Sequence, residues 1–453
     1  MSMEKLCPIE DPIHDGVFYS EGLEEKIINS QFMQRLRRLH QLQTVYLIYP
    51  GAEHTRFQHS IGVMHLAGVF AEHLLRDKTD KEQYVEAVRV AGLLHDVGHG
   101  PFSHTFEEAI IHDEERLAKL GINSHEDVGY LIAQKSEIGK LLEKRGLKEI
   151  VLKLLTPKGK EKDLPPLLKA LRQTIHHSLY PADILDFIKR DAHFTGTKEF
   201  DTVNISRLIF CSQIVDSDIA LQERALSVLK SYFYGRCQMF DNVYYHRTCR
   251  AIDHMVFNML KETNKSLKLV DRVVDCYHSK FQGFLELDDF SLLFMLKEQG
   301  NGVAKELADA ILNRRNHWRR VGEYTKPISD TTFAYLMSKS QSKYQEWINT
   351  AFEKKVKDSI KEEIPFFVDT SFIPTLPDSP YTEKGILKLI SLTGKVYEKN
   401  ISKILLDFQV QLKCTFRIYT RENVRDKYPK LENIANNVLK DIVEQRITPD
   451  ISM

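Results

Sequence analysis

The stretch that most limits what this chain can become is Ala91-Gly-Leu-Leu-His95-Asp96-Val-Gly98-His99-Gly100-Pro101-Phe-Ser-His104. An apolar helix over about residues 85–94 runs into a histidine and an aspartate, and Gly98, Gly100 and Pro101 then interrupt it. Glycine opens backbone conformations closed to other residues and proline cannot continue a helix, so the chain bends here. A helix end needs a cap, which Gly98 or Gly100 would supply. It has no need of three histidines and an aspartate, so the bend reads as an active site.

Histidine is concentrated around this bend. Nine of the chain's 18 histidines lie between His54 and His125, and imidazole is the most versatile metal ligand near neutral pH. His59 stands near the start of a helix continued by Ile61, Met64, Leu66 and Leu74. A lone histidine there is more often a core or capping residue than a ligand. Arg56, one turn earlier, is placed to meet an anion at a helix N-terminus. His125 starts another apolar-periodic helix. Further on, Pro181 suits a first helical position, and Asp183, Asp186, Phe187, Arg190 and Asp191 share one helical face. Two readings stay open for that face. Asp183 can balance the helix dipole while Asp186 pairs with Arg190, or the carboxylates can serve as ligands.

The remaining chain bounds the setting. At 453 residues it can bury a large core, and 63 basic residues balance 63 acidic ones. Any polyanion site is therefore a local cluster, as in Arg35, Arg37 and Arg38 or Arg314, Arg315, Arg319 and Arg320 beside Trp318. Such short runs are more often solvated faces or salt bridges, so a nucleic-acid partner is not favoured. Six scattered cysteines form no short-spaced pair, which suits a reducing compartment. No apolar run matches a signal peptide or a membrane span, so a soluble, intracellular protein is expected.

To about residue 320 the chain reads as all-helical, with a polar loop over 156–169 and helices over 226–240 and 245–260. From about Thr332 short strands are expected at Phe366-Phe-Val-Asp, Leu387-Lys-Leu-Ile-Ser-Leu and Cys414-Thr-Phe-Arg-Ile-Tyr. They are separated by a Pro-rich segment over 372–380 and followed by a helix over 431–445. The expected architecture is mainly α, with a helical domain over 1–325 and a smaller α+β lobe over 326–453.

An isolated histidine, a His-Asp doublet and a distant aspartate resemble the HD superfamily of metal-dependent phosphohydrolases. The longer pieces Asp11-Pro-Ile-His14, Gln34-Arg-Leu-Arg37, Gln41-Leu42, Pro50-Gly51-Ala52, His54-Thr-Arg56-Phe57-Gln-His59-Ser60, the block around His95, and Arg315-Asn316…Val321-Gly322-Glu323 look like the deoxynucleoside triphosphate triphosphohydrolases. They are nearest the catalytic part of the animal SAM-and-HD-domain enzymes, and no SAM-type segment is expected ahead of it. The likeness covers nearly the whole chain and weakens beyond about residue 325.

That resemblance implies the HD helical fold and hydrolysis of a dNTP at the α-phosphate, giving deoxynucleoside and inorganic triphosphate. It implies His59, His95, Asp96 and Asp183 as ligands of a divalent metal, with Mg, Mn, Fe and Zn all compatible. His104 matches the general acid, Glu107 and His125 its supporting partners, and His99 a residue lining the α-phosphate. Gln41 and Asp191 would meet the sugar 3′-hydroxyl, Leu42 and Tyr244 the ribose face, and Arg56 and Arg236 phosphate oxygens. A homodimer or homotetramer is implied.

The chain departs from the pattern at several positions. Glu107 stands for an aspartate, Ile184 for a lysine that contacts triphosphate, and Phe187 for a tyrosine. Lys189, Arg190 or Arg247 would have to compensate. At the family's regulatory guanine site Gln34 and Arg37 remain, while Asn29 replaces an aspartate and Cys7 a lysine. Asparagine changes the donor and acceptor pattern, so obligatory GTP activation is not expected. HD-type hydrolysis of another nucleotide or phosphoester, or a nucleotide- or nucleic-acid-binding regulator with weak catalysis, are the competing readings.

Overall fold

A computed structural model describes residues 6–112, 114–157, 159–160, 164–176, 179–327, 341–373, 386–407 and 413–446. The chain is mainly helical, with small sheets that gather toward its C-terminal part. It opens with the hairpin β1 (Leu6–Ile9) and β2 (Val17–Ser20). Helix α1 (Arg56–Leu74) then runs through the largest core, with most side chains from Arg56 to Ala71 buried and Gln58, His65 and Val69 partly exposed along one face. Its start is set locally, because the Gln58 side chain accepts a 2.7 Å hydrogen bond from the Thr55 N–H. Helix α2 (Lys81–Leu94) packs along α1 at Gly92, where a Cβ would meet Val63, Met64 and Ala67, and buries Val88, Ala91 and Leu94 in the same core. α3 (His125–Lys135) starts at Ser124, where Asp127 accepts from the Ser124 and Asn123 N–H groups. α4 (Ala182–Thr195) ends at Gly196, whose φ of 80° closes the helix at no steric cost.

Beyond α4 lie α5 (Leu226–Met239), α6 (Arg247–Leu267) and α7 (Asp289–Gln299). Strands β3 (Ser212–Val215) and β4 (Asp218–Gln222) form a hairpin between α4 and α5. Strand β5 (Trp318–Pro327) pairs antiparallel with β9 (Lys413–Arg421), which also takes β6 (Phe366–Ile373) on its other side. Strand β7 (Ile386–Ile390) pairs with β8 (Val396–Asn400) and joins β4 in parallel, giving the order β3-β4-β7-β8. A second core of Val321, Phe352, Val368, Phe416, Ile418 and Leu439 lies between the β5-β9-β6 sheet and the helices Gln341–Ile360 and Leu431–Arg446.

Three local expectations change. The region before residue 320 carries the β1–β2 and β3–β4 hairpins as well as helices, because strands of four or five residues leave no periodicity that separates them from loops. The 156–169 loop ends early, since a helix over Pro166–Ile175 begins within it. Pro181 precedes the first turn of α4 instead of lying in it. The onset of strands at Thr332 and most of the 372–380 segment fall outside the described residues. No helix among the described residues is long and apolar enough to cross a membrane.

Candidate metal centre and active site

Three helix ends meet at one point. The first turn of α1 supplies Arg56 and His59, the C-terminus of α2 supplies His95 and Asp96, and the first turn of α4 supplies Asp183. The imidazoles of His59 and His95 lie edge to face with centroids 5.1 Å apart. His59 Nε2 is 3.1 Å from Asp183 Oδ1 and 3.8 Å from Asp96 Oδ2. His95 Nε2 is 3.3 Å from Asp96 Oδ1 and 3.7 Å from Asp183 Oδ1. The site opens on the Asp183 side, whose side chain is 28% exposed against 1% for His59.

Three of these four side chains, His59, His95 and Asp96, are held from behind. His59 Nδ1 is 2.7 Å from Asp186 Oδ2, and His95 Nδ1 is 2.8 Å from the Gly92 carbonyl oxygen. Arg56 donates from Nη1 to Asp96 and from Nε to Ser103 Oγ at 2.7 Å. Burial pushes the His59 imidazole down, yet hydrogen bonds to Asp183 and Asp186 outweigh it and raise its pKa to about 10. Burial likewise pushes Asp96 up, but His95, Arg56 and His99 hold it well below the usual carboxylate range. Buried His95 Nε2 has no hydrogen-bond partner among the described residues. Two imidazole nitrogens facing two ionised carboxylates, one of them an orphan, fit a divalent cation.

Beside this group sits a second one, His99, His104, Glu107 and His125, whose ligand-type atoms all lie within 4.8 Å of one another. His99 and His125 stack at 3.7 Å between centroids. Glu107 is the hub, 2.5 Å from His125 Nδ1, 3.3 Å from His112 Nε2 and 3.7 Å from His104 Nδ1. Burial raises Glu107, but hydrogen bonds from His104, His112 and His125 overcome this and hold it far below the carboxylate range. Burial and the nearby Arg56 keep His99 well below the ordinary imidazole value, while the bond to Glu107 lifts His125 against its burial. The His104 side chain is 67% exposed.

The turn between the two groups differs from its expected form. α2 ends at Leu94, ahead of the glycines, and neither Gly98 nor Gly100 adopts a positive φ. Gly98 is needed for closeness, since a Cβ there would sit 2.1 Å from the His125 carbonyl oxygen. The left-handed residues are Phe102 (φ 57°) and Ser103 (φ 49°). Asp289 on α7 holds them by accepting the Phe102 N–H at 2.7 Å, and it also accepts from the His40 N–H at 2.9 Å.

The expected substrate residues fall into two states. Asp191 is engaged, 2.7 Å from His54 Nε2 and accepting from Tyr244 Oη at 2.6 Å. Leu42 and Tyr244 pack in one apolar cluster, with the Phe187 ring edge-on to Tyr244 at 6.1 Å. By contrast Gln41 Oε1 and both Nε and Nη1 of buried Arg236 lack partners among the described residues. Ile184 is buried, Lys189 pairs with Asp201 at 3.1 Å, and Arg190 forks onto Asp186 and Asp11. Gln34 and Arg37 sit together at 2.9 Å, with Arg37 over the Phe57 ring. Asn29 closes the short helix Leu23–Ile28, and Cys7 Sγ lies 3.5 Å from Glu21. Arg247 lines a cavity of about 810 Å³ with Arg314, Arg319, Arg320, Tyr419 and Arg425, and none of the metal-side or acid-side residues lines it.

The sequence assigns no role to His14, His54 or Asp289, and it leaves Asp186 either as a partner of Arg190 or as one of several carboxylates on a shared face. His14 and His54 stand inside quoted pieces of the family pattern, which was the available signal.

Comparison with known proteins agrees with this geometry. The HD domain family matches residues 56–185, and the HD associated region matches 203–357. The chain is 30% identical over 333 residues to the uncharacterized protein MG461 of Mycoplasma genitalium, covering 67% of this chain and 76% of that one. It is 28% identical over 318 residues to the deoxynucleoside triphosphate triphosphohydrolase SAMHD1 homolog of Dictyostelium discoideum, covering 68% of this chain and 58% of that one. A crystal structure of a hypothetical protein from Aquifex aeolicus shares the fold, with TM-score 0.69, 23% identity, and coverage of 95% of this chain and 100% of that one. The chain thus belongs to the HD domain family. It spans about three fifths of the length of several curated relatives it matches.

Proposed function

We propose that this protein is a metal-dependent hydrolase that cleaves dNTPs to deoxynucleoside and inorganic triphosphate. The observation that carries the reading is the convergence of His59, His95, Asp96 and Asp183 around the orphan His95 Nε2, beside a separate His–Glu group. A divalent cation held by those four residues, with Mg, Mn, Fe or Zn as candidates, supplies Lewis acidity toward a phosphoryl oxygen and lowers the pKa of water. Arg56 keeps Asp96 ionised and in place, and with Nε and Nη1 engaged it offers Nη2 to phosphate. Arg236 offers Nε and Nη1, donors on different edges of its guanidinium, to separate phosphate oxygens. Water attacks the α-phosphorus and the bond to the 5′-oxygen breaks. His104, exposed and steadied by Glu107 and His125, donates the proton that oxygen needs. His99, kept neutral, lines the α-phosphate without adding charge.

Gln41 and Asp191 take the sugar 3′-hydroxyl in this reading. Tyr244, tied to Asp191, and Leu42 leave no room for a 2′-hydroxyl. The chain works as a homodimer or homotetramer. Asn29, Gln34 and Arg37 are the remnant of a regulatory nucleotide site. A helical catalytic domain over 1–325 and an α+β lobe over 326–453 belong to the same proposal, supported by the second core. Incubation with dNTPs and Mn or Mg tests it: inorganic triphosphate supports the reading, and pyrophosphate or single phosphates overturn it.

One observation favours a second substrate class. Lys189 and Arg190, the cations nearest the lost lysine in sequence, are both consumed by carboxylates, which suits another nucleotide or phosphoester with fewer charges. Preference for such a substrate in a panel would select it. The arginine-lined cavity favours nucleotide or single-stranded nucleic acid as a bound partner, and absence of binding at low salt would remove that reading.

A further inference from the structure

Asp186 has no exposed surface, and four donors saturate its carboxylate. Oδ2 lies 2.7 Å from His59 Nδ1 and 2.9 Å from Arg190 Nε, while Oδ1 lies 2.7 Å from His14 Nε2 and 2.9 Å from Arg190 Nη2. Arg190 is in turn held by Asp11 at 2.8 Å. Asp11 Oδ1 also accepts the N–H groups of Ile13 and His14 at 2.9 and 3.0 Å, a tight turn that presents His14 to Asp186. The cluster sits directly on α1, because a Cβ at Gly62 would lie 1.9 Å from Asp186 Oδ1. Contact across 172 residues of chain has no role in the chemistry assigned above.

We propose that Asp186 and His14 are positioning residues, a relay from the N-terminal turn that fixes the ring orientation and tautomer of His59 and thereby sets the affinity of the site for its divalent cation. The inference rests on the metal-site reading. A carboxylate gripped by a guanidinium fork is ionised and only accepts. Both imidazoles must therefore donate to it, His14 from Nε2 and His59 from Nδ1. With the cation in place of the proton that His59 otherwise shares with Asp183, that choice leaves His59 Nε2, the nitrogen 3.1 Å from Asp183, to face the cation with a lone pair. Without the carboxylate, the tautomer protonated at Nε2 and hydrogen-bonded to Asp183 becomes available, and it occupies the ligand position. His14 secures the carboxylate from the side Arg190 leaves open and links the metal to the docking of residues 11–14. His95 has a lesser brace, a single backbone carbonyl.

The test uses the full chain stripped of metal and titrated with Mn²⁺ against a chelating dye, with thermal unfolding measured with and without Mn²⁺. Asp186→Asn places an amide donor or a weaker acceptor against His59, and Mn²⁺ affinity is expected to fall about 10–100-fold. His14→Ala should lower it about 3–10-fold, and His14→Gln should restore most of it, because a glutamine amide can still donate to Asp186. A purely structural role would lower both melting temperatures together and leave the metal-induced rise unchanged. The relay instead predicts that this rise shrinks. If Asp186→Asn does not fold, the His14 pair decides. Wild-type Mn²⁺ affinity and an undiminished rise in His14→Ala, with binding lost in His95→Ala, overturn the relay alone. Unchanged affinity in His95→Ala overturns the metal-site reading and the relay with it.

Discussion

The two histidine groups of the site are built on opposite terms. On the metal side His59 and His95 are buried, with one ring nitrogen bonded from behind by Asp186 or by the Gly92 carbonyl. On the acid side one carboxylate, Glu107, serves three imidazoles at once, and the outermost, His104, is largely in solvent. A bound cation needs ligands that do not move, and a surrounding shell that fixes each ring lowers the cost of assembling them. A proton donor has to reach a leaving group and return, so exposure and a single flexible anchor suit it. Rigidity is thus concentrated in the buried group and relaxed in the exposed one, as the proposed roles of cation site and proton donor require.

Removing one residue from each group should separate these roles. His95→Ala is expected to lose metal on the order of 100-fold or more, and activity with it, as read by elemental analysis of purified protein beside the dNTP assay. Metal retained at the wild-type level would break the contrast at its rigid end. His104→Ala is expected to keep the metal and still lose about 10²–10⁴-fold in turnover. A matching loss of metal would mean that the second group is a ligand set as well.

The brace itself can be tested through its packing. Gly62→Ala pushes a methyl group into Asp186 and Arg190, a buried ion pair that cannot relax toward solvent. A cost of about 3–5 kcal/mol is expected in urea unfolding. A neutral result would show that α1 and α4 can part without harm.

Asp253 on α6 supplies the counter-case of a carboxylate with too few partners, and the smallest effect. Burial pushes it up to about 6 although Arg250 and Thr44 pull it down. A folded value above the ordinary 3.8 means that the native state holds the proton more tightly. Its contribution to stability therefore declines as pH rises from about 4 to about 6 and is level above that. Asp253→Asn should gain roughly 1–2 kcal/mol relative to wild type on moving from about pH 4 to pH 7.5, measured by urea unfolding. A pH-independent difference would remove the argument.

Much of this was legible in one dimension. Glu107 in place of an aspartate was visible as a longer arm, and in the structure its carboxylate meets three imidazoles. The Asp183–Asp186–Arg190 face was visible too, but spacing could not say which aspartate faces the cation. Both lie on the same stripe of α4, one turn apart. His14 was present in the family pattern without a function, because its partner stands 172 residues away. The β3–β4 hairpin was missed because its strands are too short to show a period, and β4 finds its neighbour β7 only in the folded chain.

By itself the sequence determined where the long helices run and which reactive side chains stand at their ends, since periodicity, caps and breakers act over a few residues of local backbone geometry. Only the tertiary structure decided that Asp183 faces the open site while Asp186 turns to His59, that Arg190 is consumed as a brace, and that Arg236 keeps Nε and Nη1 without partners among the described residues. The reason is physical: a charged group's role depends on which partners share its buried space. Those partners come from segments that only packing brings together.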